Sequence, residues 1–367
     1  MTFQLECDAD QLASVLNLCA HVAGAAKHAP ILRAVRIAIE NGKANISATD
    51  MDHAISGEIE VKGEGEAFIE IALIAPKVSA LNGGLPVKIV GDGAIATISQ
   101  GRTRWKVPMM NGEGWPAKFI ETPNGGSEFS PSSFVTALET ASRASGGSGA
   151  HVTEAGVLAG DTGMVIGASS SKMYVAHGGV AFESPVIIPR TSIPAIRSIF
   201  GKQGEGVIHA DGTMFSIRVG RTIYKSKLVD GQFPPWRKVV EKFGASIDKT
   251  FNVDRNAFSE ALGRAMLVRE DKSKSIGSAL GVRLVIGDGE CAIRSANKGA
   301  EEGEDFCEAI SDDTGEIGVN AYALREAVET FDCDRIDIAF KDAETPIRIS
   351  KPGEADAFRF IMPFRVA

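Results

Sequence analysis

Apolar residues follow two rhythms along this chain. Phe3 and Leu5 alternate with polar neighbours, as in a strand with one buried face, and Leu12, Val15, Leu16 and Cys19 then recur at helical spacing. Asp8, with Gln11 three residues on, predicts a helix start closed by a capping box. Strands are predicted over 31–39, 44–49 and 53–61, the first two joined by a tight hairpin at Asn41-Gly42. Pro76-Lys77 predicts the start of a second, short helix running through Leu81 and stopped by Gly83-Gly84. Strands over 87–90, 94–99 and 103–107 complete the cycle.

The cycle then repeats. Pro123-Asn124-Gly125-Gly126-Ser127 reads as a linker. Beyond it come strand-like Phe129, a cap at Ser130, Pro131 at the first helical position, and a helix face of Phe134, Leu138 and Ala141. Strands near 157–158, 164–167 and 173–176 precede a second helix from Pro189-Arg190 through Ile196, Ile199 and Phe200, and strands over 206–210, 214–219 and 222–228 close the set. A third cycle opens with Phe251 and Val253, capped by Asp254, with Ala257, Phe258, Ala261, Leu262 and Ala265 on the helix face. Strands over 282–286, 291–295 and 306–310 lead to a helix marked by Leu324, Val328 and Phe331, then strands over 336–340, 346–350 and 358–362. A local echo supports the repeat. Gly101-Arg102-Thr103-Arg104-Trp105-Lys106 precedes Gly112-Glu113-Gly114-Trp115-Pro116, and Gly220-Arg221-Thr222-Ile223-Tyr224-Lys225 precedes Gly231-Gln232-Phe233-Pro234. A period of about 120 residues means repeated domains rather than a short solenoid unit.

The expectation is an α+β protein of three repeated domains, 1–124, 125–246 and 247–367, each an antiparallel sheet with two helices on one face. Equivalent helices in three successive domains suit a curved or closed array.

Composition adds limits. The 367 residues are 44% apolar and 23% charged, ordinary for a globular protein. A net charge of −8 argues against a nonspecific nucleic-acid coat but not against a local basic surface. Five cysteines without CxxC spacing read as reduced, mostly core thiols of a cytoplasmic protein. The N-terminal stretch lacks the zones of a signal peptide, and no apolar run is long enough to span a membrane.

Catalytic signatures are missing: no phosphate loop, HExxH, GxSxG elbow or dinucleotide fingerprint. The histidines have no ligand spacing, so neither a metal nor another cofactor is expected. Asp50 and Asp52 are better read as turn chemistry than as ligands. A hydrolase using Asp50 or Ser148 would lack its acid–base partners.

Charge points to binding instead. Lys27, Lys77, Arg143, Arg190, Arg197, Lys202, Arg264 and Arg269 lie on or beside the predicted helices. If those helices line one surface, their cations form a phosphate-facing stripe on an otherwise acidic protein, and nothing in the sequence suggests base readout. The acidic run Glu301-Glu302-Gly303-Glu304-Asp305 reads as a solvated loop on its own. Set against Arg102 and Arg104, it suits head-to-tail self-association, with Trp105 and Val107 on one side, and Met266 and Leu267 on the other, supplying apolar contact.

At this point the sequence resembles a known family. Lys227-Leu228-Val229-Asp230-Gly231-Gln232-Phe233-Pro234 is similar to the SKLVDGxFPDY segment of the bacterial sliding clamp, the beta subunit of DNA polymerase III. Pro30-Ile31-Leu32, Ser47-Ala48-Thr49-Asp50-Met51, Gly281-Val282-Arg283-Leu284, Ala296-Asn297 and Ile361-Met362-Pro363-Phe364-Arg365 match further family segments in order, over the whole chain. The resemblance implies a homodimeric ring around duplex DNA that tethers polymerases, repair proteins and a clamp loader, and is not an enzyme. It also implies a partner-peptide pocket of Lys172, Met173, Val239, Val240, Asn320, Ile361, Met362, Pro363, Phe364 and Arg365. Ser169-Ser170-Ser171-Lys172 stands where the family has TDGHR, and Glu241 where it has proline, which implies a changed peptide preference. An interaction scaffold of the same fold, or a second clamp copy serving other partners, is the rival reading.

Overall fold

The computed structural model describes residues 3–23, 29–120, 125–146, 151–160, 162–202, 204–268, 281–296 and 302–365, the side chains of Lys118 and Ile120 apart. In chain order the first elements are β1 (Phe3–Asp8), α1 (Ala9–Ala23), β2 (Ala34–Glu40), β3 (Lys43–Thr49), β4 (His53–Glu60), β5 (Lys62–Glu70), α2 (Ile71–Ser79), β6 (Pro86–Gly91), β7 (Ile95–Gln100), β8 (Thr103–Pro108) and α3 (Ala117–Ile120). Then come β9 (Ser127–Phe129), α4 (Pro131–Ser142), α5 (Val152–Ala155), β10 (Gly156–Ala159), β11 (Met164–Ala168), β12 (Lys172–His177), β13 (Val186–Pro189), α6 (Ile193–Phe200), β14 (Gly206–Ala210), β15 (Met214–Val219), β16 (Thr222–Lys227) and α7 (Trp236–Gly244). The last set is β17 (Lys249–Asp254), α8 (Arg255–Ala265), β18 (Gly281–Gly287), β19 (Glu290–Ala296), β20 (Glu302–Ile310), β21 (Gly315–Asn320), α9 (Ala321–Glu329), β22 (Arg335–Phe340), β23 (Ile347–Ser350) and β24 (Phe358–Ile361).

Local chemistry sets these elements much as the sequence implies. The Asp8 carboxylate accepts from the N–H groups of Asp10 and Gln11 at 3.0 Å each, and Asp254 accepts from Ala257 at 2.8 Å, so both helices start where their caps predict. Asn41 and Gly42 both take positive φ, 53° and 76°, and turn β2 into β3.

The chain divides into two compact units, Met1–Val135 with Thr191–Val229, and Thr136–Arg190 with Asp230–Ala367. Each holds one twelve-stranded sheet. The first runs β8-β7-β6-β1-β5-β2-β3-β4-β16-β15-β14-β9, and the second runs β13-β10-β11-β12-β24-β23-β22-β17-β20-β19-β18-β21. The middle repeat therefore gives four strands to each sheet, so hydrogen-bonded continuity does not follow the repeat boundaries.

The core of each unit lies between sheet and helices. In the first, Leu12, Leu16 and Cys19 of α1 are buried, and α1 packs on α2, β3 and β4. Gly57 on β4 permits that approach, since a Cβ there would sit 2.8 Å from Val15 Cγ1. In the second, Phe258 and Leu262 of α8 and Leu324 and Val328 of α9 are buried in one cluster with Phe251, Val282, Ile293 and Ile336. Each such side chain contributes about 1.5–3 kcal/mol by leaving water.

Three expectations need correction. The second helix begins at Ile71, not at Pro76, which lies inside it. Burial of Ile71, Ile74 and Val78 holds the helix across a proline that lacks the donor for its usual bond. The acidic stretch is strand rather than loop: β20 starts at Glu302, paired residue by residue with β19. The chain does not simply stop at Pro234-Pro235; α7 follows, with Trp236, Val239, Val240 and Phe243 half-buried on one face.

Candidate functional site

The sheets cross from repeat to repeat at two seams. In the first unit β4 pairs with β16, Ile55 opposite Tyr224 and Gly57 opposite Thr222. In the second unit β12 pairs with β24, Tyr174 opposite Arg359 and Lys172 opposite Ile361. Arg221 ties the first seam by reaching Glu60 at 3.1 Å and Glu58 at 4.0 Å. Arg359 ties the second: the residue is 5% exposed, and its guanidinium lies 4.5 Å from the Phe331 ring centroid and 5.6 Å from that of Tyr174 and donates to Val175 O, Phe358 O and Thr330 Oγ1. Burial pushes its pKa down to about 10.

Two comparable edges have no such neighbour among the described residues. β8 ends the first sheet, paired only with β7. β20 pairs with β19, and with β17 only at Ala309 and Ile310, which leaves one side of 302–308 open. Arg104 and Lys106 of β8 and Arg102 beside it are exposed, Trp105 is half-buried and Val107 is buried. On β20, Glu302, Glu304, Phe306 and Glu308 are exposed; Met266 is half-buried and Leu267 is 77% exposed just beyond α8. The opposed charges anticipated from the sequence thus lie on open strand edges, although Glu304 is engaged by Arg294 and Asp305 by Arg264 within the chain. The Arg264 bond holds the Asp305 carboxyl below the usual range. Glu301 lies outside the described residues.

The basic residues fall at helix ends. Lys77 sits in the last turn of α2, its ammonium donating to Leu73 O at 3.0 Å. Arg143 follows α4, Arg197 ends α6, Lys202 lies just beyond it, and Arg264 ends α8. Cations there also complement the helix dipole. Arg190 donates to Ser145 O at 2.7 Å, and Arg264 is held by Asp305, so these two are already oriented by the fold. Lys27 and Arg269 lie outside the described residues.

The expected pocket residues all belong to the second unit. Lys172 donates to Arg143 O and to Glu326 Oε2, both at 2.6 Å, which fixes it beneath the seam. Met173 alternates to the opposite face, across from Phe360. After β24 the tail is tied down: Met362 N–H donates to Ser171 O and Phe364 N–H to Gly318 O, both at 2.8 Å. Ile361 is buried and Pro363 half-buried, while Met362 and Phe364 are each 38% exposed and Arg365 is exposed. Asn320 caps α9 by accepting from Ala323 N–H at 3.0 Å. Val239 and Val240 are half-buried on α7. A fixed tail with exposed apolar side chains can seat a short apolar segment.

Asp50 is turn chemistry. It accepts from the N–H groups of Asp52 at 3.0 Å and His53 at 2.6 Å, and its other oxygen lies 3.0 Å from His53 Nδ1. Burial raises its pKa, but the bonds to His53 outweigh that and leave it below the usual carboxylate range. No group of three metal-ligating side chains occurs among the described residues. Ser148 lies outside them.

Sequence reasoning missed Arg359, Tyr174 and the Lys172–Glu326 pair. An arginine alternating with Phe358 and Phe360 in an apolar strand was the available signal for the first.

Comparison with known proteins supplies a family. Residues 1–118 match the model for the DNA polymerase III beta subunit N-terminal domain, and residues 243–365 match the model for its C-terminal domain. The chain is 23% identical to the beta sliding clamp of Pseudomonas putida over 373 residues, covering 97% of this chain and 98% of that protein. It is 27% identical to the beta sliding clamp of Proteus mirabilis over 184 residues, only 49% of this chain and 48% of that protein. Among solved structures, the DNA polymerase sliding clamp of Bacillus subtilis superposes with a TM-score of 0.88 at 16% identity, covering all of both chains. That of Pseudomonas aeruginosa superposes with a TM-score of 0.87 at 20% identity, covering 99% of this chain and 100% of that one.

Proposed function

The chain belongs to the bacterial beta sliding clamp family, the beta subunits of DNA polymerase III, and we propose that it works as a closed homodimeric ring that slides on duplex DNA. Its role is that of a DNA polymerase processivity factor, tethering rather than catalysing. The observation that carries the ring is the pair of open strand edges, β8 and β20, which carry opposite charge and match the edges already joined at the two seams. Joining β8 of each copy to β20 of the other makes a head-to-tail dimer in which both of these charged edges are paired, so neither is left as a template for aggregation.

In this reading three domains, 1–124, 125–246 and 247–367, present their helices to the hole. Lys77, Arg143, Arg190, Arg197, Lys202 and Arg264, with Lys27 and Arg269, face phosphates there. Such contacts carry no sequence information, and a modest number leaves the ring free to slide. Polymerases, repair proteins and the loader dock through the groove of Met173, Val239, Val240, Met362, Pro363 and Phe364, walled by Lys172, Asn320, Ile361 and Arg365. The protein acts in the cytoplasm.

Retention on DNA tests this. Loaded by its clamp loader onto a nicked circular plasmid, the protein should stay bound in high salt and be lost within seconds once the plasmid is linearised. Equal loss from both forms would leave a scaffold of clamp fold that does not encircle DNA.

A further inference from the structure

The two seams inside the chain share one register, and the repeat carries that register to the open edges. The turn before each receiving strand fixes the correspondence between seams. Asp50 N–H donates to His53 O and Ser169 N–H to Lys172 O; Lys227 N–H donates to Asp52 O and Met362 N–H to Ser171 O. His53 therefore corresponds to Lys172, and Ile55 opposite Tyr224 corresponds to Tyr174 opposite Arg359.

The same backbone marks locate β20 and β8. Val61 N–H donates to Gly42 O, and Ala309 N–H to Gly289 O. Lys43 pairs with Glu60, and Glu290 pairs with Glu308. So Glu60 corresponds to Glu308, Gly57 to Asp305, Ile55 to Gly303 and Ala54 to Glu302. On the other side Gln100 pairs with Thr103 as Val219 pairs with Thr222, around Gly101 and Gly220 at φ 55° and 56°. So Arg102 corresponds to Arg221, Trp105 to Tyr224 and Lys106 to Lys225.

Resting on the homodimer reading above, we propose the register in which a second copy joins: Thr103 opposite the partner subunit's Asp305, Arg104 opposite the partner subunit's Glu304, Trp105 opposite the partner subunit's Gly303, and Lys106 opposite the partner subunit's Glu302.

Three features select this register over its neighbours. Arg102, Arg104 and Lys106 meet carboxylates on the outer face; Arg102 reaches the partner subunit's Glu308 as Arg221 reaches Glu60 within the chain. Glu302 and Glu308 make no ion pair among the described residues, so Lys106 and Arg102 find partners not yet engaged. On the inner face the half-buried Trp105 lies over a glycine. A Cβ at Gly303 would stand 2.7 Å from Val268 Cγ2, so the position stays bare and leaves room for the indole. A slip of one residue turns every side chain to the wrong face, and a slip of two sets Trp105 against a carboxylate.

Cross-linking reads the register directly. Lys227 N–H bonds to Asp52 O, and bonded pairs alternate from there, so Gly57 and Thr222 form a non-hydrogen-bonded pair. The equivalent pair between copies has Cα atoms about 4.5 Å apart, within disulfide reach. The variant Thr103→Cys with Asp305→Cys, oxidised with diamide, should give a covalent dimer whose mapped bond joins the two introduced thiols. A bond from the thiol at 103 to native Cys307, or a dimer by light scattering that never cross-links, overturns the register and leaves the ring intact. A monomer in light scattering sinks the dimer reading and the register with it. The charge exchange gives a second arm that leaves Asp305 alone. Lys106→Glu and Glu302→Lys should each weaken the dimer about 10-fold, because an exposed pair of modest worth occurs twice per ring. Together they should return the affinity to within about threefold of the native value. Additive loss in the double variant overturns the pairing.

Discussion

Tyr174 on β12 stands directly opposite Arg359 on β24, and the guanidinium lies between its ring and that of Phe331. No carboxylate answers that charge at hydrogen-bond distance among the described residues; two backbone carbonyls and the Thr330 hydroxyl do. The seam beneath the proposed peptide groove is therefore closed by a buried cation whose planar fork spans β12, β24 and the end of α9.

Removing that fork should be costly. Arg359→Ala leaves buried acceptors without donors and a gap between two rings, and should lower unfolding stability by about 2–4 kcal/mol. Arg359→Lys should recover only a minor part, because an ammonium cannot reach three acceptors in one plane. Urea unfolding followed by far-UV circular dichroism reads both; a native midpoint for Arg359→Ala would refute the role.

Reversing the charges on the β8 edge should open the ring. Arg102→Glu with Arg104→Glu faces carboxylates with carboxylates at both joints of a dimer, and should raise its dissociation constant by about 100-fold or more. Light scattering at micromolar concentration should show the 38.7 kDa chain alone in place of a species of twice that mass. An unchanged dimer would place the joint elsewhere.

The groove prediction separates binding from folding. Met362 and Phe364 are partly exposed while their backbones are tied to Ser171 and Gly318. Truncating either to alanine should cost a peptide with apolar anchors about 10-fold or more in affinity, with little change in thermal midpoint. Fluorescence anisotropy and scanning calorimetry on the same samples distinguish the two effects.

Asp50 gives the chain an acid-sensitive component. Its folded pKa lies below the ordinary value of 3.8, so the native state binds fewer protons than the unfolded state through that window. The stabilisation is present above the ordinary value and is lost as pH falls through the folded one. The thermal midpoints of the native chain and of Asp50→Asn should differ most at pH 6, and the difference should shrink steadily as pH falls below the ordinary value. A constant difference across that range would assign the effect to something other than titration.

Acidic β20 shows why part of the molecule was hard to read in advance. Glu302 to Asp305 have the composition of a solvated loop, and β propensity at a strand edge depends on the neighbour more than on the residue. The ladder with β19 makes them strand, and only then do the carboxylates of Glu302, Glu304 and Glu308 line up on one face, with Asp305 turned to the other. α7 was missed for a related reason: two prolines at 234–235 signal a stop, but proline is also tolerated immediately before a helix starts.

The sequence alone determined the threefold repeat, the α+β class, the helix starts at Asp8 and Asp254 and the turn at Asn41-Gly42, because alternation, caps and tight turns are decided within a few residues. The tertiary structure alone decided which strand edges join. Arg221 and Glu60 are separated by 161 positions, and Arg359 donates to a carbonyl 184 positions away. A backbone edge offers the same N–H and C=O groups whatever its side chains, so only packed sheets reveal that the middle repeat is shared between two of them and that β8 and β20 are left open.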